Sequence, residues 1–284
     1  MSLRKTMRPV TLKRVVEVCS LASENEAIDI VVVSQRLGVS HSRAEEIVLE
    51  VEEMRLLTNL GDKCIANRET SEFLRHFENE RWERIHEHFL EKYRFYRDFI
   101  HILAGHIDDE KGLSLEEIKE ESTSRQLSLN QTAVEVLSDW CDRLGVIQRH
   151  LYTRRIYTVR KDIEPKIFKI ALCKCYRELS TCHGRKGVFV EIPTMREDTC
   201  ENLKIPRKTF DERLRLLFLE NIGRIELSGA PIITLAKKSP FTEKKMMSDS
   251  KAAILSPKYE VKREREGLAV GQKTYYYLAI HESI

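Results

Sequence analysis

IVVVSQRLGVSHSRAEEIVLEVEEMRLLTNLGDKCIAN, residues Ile30 to Asn67, decides how this chain is read. A short amphipathic stretch stops at Gly38, and Ser40 or Ser42 can cap the helix that follows, because a side-chain oxygen there accepts an orphan backbone N–H. In that helix Ala44, Ile47, Val48 and Val51 fall on one side, the period of a core-facing helix. Cys64 to Ala66 then reads as the return strand of a hairpin. The same order occurs twice more. The second copy runs from Leu113 to Val159 as LSLEEIKEEST and SLNQTAVEVLSDWCDRLGVIQRHLYTRRIYTV. The third, IPTMREDTCENLKIPRKTFDERLRLLFLENIGRIELSGAPIITL, runs from Ile192 to Leu235. Three repeats of helix, turn, helix and hairpin predict a mainly α chain with small β-hairpins, and point to binding rather than catalysis.

Around these copies the pattern fills in. Thr11 to Leu21 reads as a helix, Ser114 to Glu117 as a capping box, and Gly145 as a helix stop. Residues 71–104 hold no Pro or Gly and read as one long helix. Along it Trp82, His86, Phe89, Tyr93, Tyr96, Ile100 and Leu103 alternate spacings of four and three. Such a seam is either a homodimer interface through residues 82–103 or packing within the chain. Glu164 to Cys182 reads as a helix and 183–187 as a basic turn. Thr274 to Ile280 is a strong strand expected to rejoin the third sheet across a mobile Lys/Ser/Pro-rich insertion near 236–272. The expected division is therefore 1–70, 71–160 and 161–284.

Charge is uneven. The three segments carry −1, −3 and +7, within a net charge of +3. The seven cysteines sit mostly on apolar faces, as expected of buried thiols in a reducing cytoplasm. No apolar run has the length of a membrane span, and the basic N-terminus, with Arg4, Lys5 and Arg8, lacks the apolar stretch of a signal peptide. Cys173 and Cys175 lie two apart on a predicted helix and point about 200° apart, so with Cys182 and His183 they make a poor zinc set. His86 and His88 are placed no better. No phosphate loop, H-E-x-x-H or G-x-S-x-G occurs. No catalytic residue, metal site or cofactor is expected.

The three quoted stretches resemble the winged-helix superfamily. The resemblance implies three winged helices in tandem, joined here by a long helix. Tandem members include prokaryotic DNA-binding regulators and replication initiators, and also partner-binding scaffolds. In the DNA-binding members the last helix enters a groove and basic groups hold phosphates. Only the third copy has the charge for that: Lys204, Arg207, Lys208, Arg213 and Arg215, with Thr209 among them. The second hairpin, with Arg149, Tyr152, Arg154 and Arg155, is the other candidate contact with double-stranded DNA. The first long helix, 43–55, is acidic and suits a protein partner instead. Two functions follow: a non-enzymatic DNA-binding factor in transcription or replication, cytoplasmic or nucleoid-associated, or a protein–protein scaffold docking partners on acidic helices.

Overall fold

The computed structural model describes residues 6–109, 111–127, 129–160, 162–181, 188–229 and 267–281. It is mainly helical with small antiparallel strand pairs. Two compact units emerge. Among the described residues, the first holds those up to Arg149 together with Arg155–Thr158; the second holds His150–Arg154 and those from Val159. The first expected segment thus shares one unit with most of the second, whose residues 150–154 and 159–160 fall in the other unit.

The first unit contains α1 (Leu12–Glu24), α2 (Ile30–Leu37), α3 (His41–Glu53), β1 (Leu57–Asn59) and β2 (Cys64–Ala66). Then come α4 (Arg68–Glu78), α5 (Trp82–Lys92), α6 (Arg94–Ala104), α7 (Leu115–Ser124), α8 (Gln131–Arg143), β3 (Ile147–Arg149) and β4 (Ile156–Thr158). The second unit has α9 (Pro165–Thr181), β5 (Val190–Glu191), α10 (Ile192–Leu203), α11 (Arg207–Glu220), β6 (Ile225–Ser228), β7 (Leu268–Val270), β8 (Lys273–Tyr275) and β9 (Tyr277–Ile280).

The repeat is visible in the pairing. After α1, Ile28 bridges Cys64 of β2; after α6, Leu113 bridges Ile156 of β4; after α9, β5 pairs β9. Each time, the segment after the opening helix pairs with the last strand of the copy. Gly112 permits the second bridge, because a Cβ there would sit 2.5 Å from the Ile156 carbonyl oxygen. β9 lies between β5 and β6, so Tyr277–Ile280 of the expected Thr274–Ile280 strand returns to this sheet, while Thr274 and Tyr275 belong to β8 and pair with β7. The insertion ends sooner than its composition predicts: 267–272 already belongs to the β7–β8 hairpin. The expected strand at Ile232–Leu235, the basic turn 183–187 and the remainder of the insertion lie outside the described residues.

The turn between the two helices of each copy is built alike. Gly38, Gln126 and Lys204 take left-handed backbones, with φ of 61°, 56° and 55°. The next N–H reaches back to a helical carbonyl: Val39 to Ser34 at 3.2 Å, Leu127 to Ser122 at 2.8 Å, Ile205 to Cys200 at 3.1 Å. This closure satisfies carbonyls that a helix end would leave orphaned. Only the first copy uses the residue that adopts this conformation without a Cβ penalty. Nothing lies within 4 Å of a Cβ built on Gly38. Gly38→Ala is therefore expected to cost about 1 kcal/mol from backbone strain alone, read as a lower urea midpoint at unchanged m-value. No loss at all would mean the turn relaxes out of the left-handed region.

The long helix predicted over 71–104 is three helices, α4 to α6. Its breaks contain neither Pro nor Gly. Glu80 turns left-handed at φ 53°, and Tyr93 is extended at φ −117°, ψ 104°. The break at Tyr93 lets its ring enter the core and its hydroxyl donate to Glu50, a fully buried carboxylate that also accepts the Arg8 N–H at 3.0 Å. A buried carboxylate needs such donors. The seam is correspondingly internal. Phe89, Tyr93 and Tyr96 have no exposure, and Trp82 and Ile100 pack half-buried against the same core. Phe89 lies 5.2 Å from the Trp140 ring, 5.6 Å from Tyr96 and 5.8 Å from Phe73. These rings are covered by their own chain, which is the packing within the chain that the seam offered as its other reading.

Candidate functional site

The third copy carries its candidate cations at the start of α11 and in the turn before it. Phe210, Leu214 and Leu217 bury one face of that helix, as the period requires. The cations, however, are largely engaged within the unit. Arg207 donates from Nε to Glu197 Oε1 at 2.5 Å and from Nη2 to Glu197 Oε2 at 2.7 Å. Glu197, on α10, has no exposure and also accepts the Leu151 N–H at 2.8 Å. A second pair joins Nε of buried Arg196 to Oδ1 of partly exposed Asp211 at 2.8 Å. Burial pushes the Asp211 carboxyl up, against the pull of Arg196.

Lys204 is 3% exposed because it occupies the left-handed turn before α11, where its carbonyl accepts the Arg160 N–H at 2.5 Å. Arg213 donates to Asp162 at 2.9 Å and to the Ile163 carbonyl at 3.0 Å. Arg215 donates to the Ala269 carbonyl at 3.1 Å. Thr209 is half-buried. Lys208 alone of this set is well exposed, at 87%, with Glu212 at 3.9 Å.

The second hairpin does not gather its cations either. Its tip, His150–Arg154, belongs to the second unit, while Arg149 and Arg155 belong to the first. His150 is 2% exposed. Its Nδ1 accepts the N–H groups of Tyr152 and Thr153 at 3.2 and 3.1 Å. That assigns the proton to Nε2, which faces Asp198 at 3.2 Å. Tyr152 is about half exposed and Arg154 is exposed on a left-handed backbone, φ 61°. Arg155 turns back to Glu117, at 2.8 and 2.9 Å, and to the Gly112 carbonyl at 2.5 Å. Arg149 is half-buried.

The corresponding helices of the first unit remain acidic outside. On α3, Glu45 is exposed and Arg43 is tied to Glu46 at 2.7 Å; on α8, Glu135 is exposed and Arg143 is tied to Asp139 at 2.9 Å. Phosphates would meet like charge on both.

Charge counting missed a different feature. α11 exposes Leu216, Leu219 and, just beyond its end, Ile222, at 52%, 53% and 72%. α9 exposes Ile167 and Ile170. The signal was present in RLRLLFLENI: Leu216 and Leu219 lie off the face fixed by Phe210, Leu214 and Leu217. Among the described residues, no group of three His, Cys, Asp or Glu could hold a metal ion, and no helix is long and apolar enough to cross a membrane. No protein-family model matches the chain, and no curated protein is significantly similar to it.

Proposed function

We propose that the chain is a non-enzymatic scaffold of three winged-helix repeats that docks partner proteins. The repeated order of helix, bridge, helix, left-handed turn, helix and hairpin supports the winged-helix reading. The choice of scaffold over groove reader rests on one observation: the arginine that opens α11 is the partner of fully buried Glu197. Arg207 cannot reach a base edge without stranding that carboxylate, and stranding a buried charge is costly. Exposed leucines beside it suit an apolar partner surface.

A second reading, DNA binding by the third repeat, keeps support from Lys208 and from the +7 charge of residues 161–284. Anisotropy with a 20-base-pair duplex, titrated over salt, separates the two. The scaffold is expected to bind only non-specifically, with Kd around 10⁻⁴–10⁻⁶ M at physiological salt, and to be unaffected by Lys208→Glu. Nanomolar affinity that falls on Lys208→Glu, with the salt slope flattened by about 0.9, would return the assignment to DNA.

A further inference from the structure

We infer that the outer face of α9 is a docking surface for an acidic amphipathic helix of a partner protein; this rests on the scaffold reading above. α9 buries Phe168, Ala171, Leu172, Cys175 and Tyr176. At 100° per residue the opposite side is centred on Ile170, which is 68% exposed, with Ile167 beside it at 49%. Lys166, Lys174 and Arg177 stand around Ile170 on that side, all exposed. Among the described residues none of the three lysine and arginine groups is in an ion pair. The Arg177 Nε donates only to the carbonyl of Cys173, one turn back, at 3.1 Å. Glu178 on the same helix and Glu164 just before it are also exposed.

This differs from α11, where Arg207, Arg213 and Arg215 are engaged within the unit and Lys208 alone of the cations is well exposed. Here the cations are turned out, and aliphatic side chains stand in their midst. Phosphate binding needs clustered cations and gains nothing from Ile170. A helix gains from both. Its apolar residues at three- and four-residue spacing would cover Ile167 and Ile170, and flanking carboxylates would meet Lys166, Lys174 and Arg177. The pattern matches the apolar centre and polar rim of an interface. Charge complementarity therefore specifies the occupant: apolar on one stripe and acidic at its borders.

The test uses the full chain and a 20-residue fluorescent peptide with leucines at i, i+3, i+4 and i+7 and glutamates between them. The peptide is expected to bind in a salt-sensitive manner, and its lysine counterpart is not. Ile170→Gln is expected to weaken binding about tenfold. Lys174→Glu with Arg177→Glu is expected to do at least as much. The melting temperature should be unchanged in both, since the sites are exposed. Equal binding of wild type and both variants, or no binding of the acidic peptide, overturns the α9 surface. Binding of a 20-base-pair duplex that is lost with the charge reversals and kept with Ile170→Gln overturns it in favour of nucleic acid. Failure of the peptide together with merely non-specific DNA affinity removes α9 and leaves the scaffold standing. Tight, Lys208-dependent DNA binding removes the scaffold itself.

Discussion

Glu197→Ala is expected to destabilise the second unit by about 3–5 kcal/mol, the range for removing one member of a buried charge pair. The carboxylate has no exposure, takes two hydrogen bonds from Arg207 and takes a third from the Leu151 N–H. Its removal takes from the Arg207 guanidinium, whose side chain is 15% exposed, the carboxylate it donates to twice, and leaves a backbone donor unmet. Faster hydrogen exchange across α9, α10 and α11 reads the loss directly. Glu197→Leu with Arg207→Met is expected to lose much less, because no charge is then stranded. Losses of Glu197→Leu and Arg207→Met that simply add up in the double variant would mean the pair contributes no coupling. The same geometry makes Arg207→Glu a folding variant: it would set a second carboxylate against a buried one. Lys208, exposed beside it, is the position at which charge reversal reports on binding alone.

That contrast marks what could be read from residues in order and what could not. Period and caps placed α1 to α3 and α7 to α11. Ser40 accepts the Arg43 N–H, and the Ser114–Glu117 capping box is reciprocal, because these contacts span only three residues. The pairing of β9 with β6 was legible because KTYYYLAI has few other uses in a helical chain. The breaks at Glu80 and Tyr93 were not, since no local breaker announces them. Tyr93 leaves the helix to reach Glu50, 43 residues away in sequence. Nor was the engagement of Arg207 legible. Its partner lies ten residues upstream, and only the left-handed turn at Lys204 swings α11 back against Glu197. The sequence displays a cation but not the carboxylate it is folded against.

The aromatic seam carries the other large expected effect. Phe89→Ala is expected to cost the first unit about 3–5 kcal/mol, the cost of deleting a buried ring and leaving a cavity. Phe89 lies against five rings: Phe73, His88, Tyr93, Tyr96 and Trp140. No neighbour can fill the space without giving up its own packing. Trp82 and Trp140 are the chain's two tryptophans, and Trp140 is buried 5.2 Å from the Phe89 ring. Intrinsic fluorescence therefore follows this core, and the denaturation midpoint should fall at low urea. Phe89→Glu with Tyr96→Glu should go further and abolish the folded unit, because two carboxylates would be buried without donors. A surface seam would behave otherwise, giving a folded monomer from a dimer by sedimentation. A well-folded double variant, with wild-type tryptophan emission and exchange protection in α5, α6 and α8, would place these rings at an interface and not in a core.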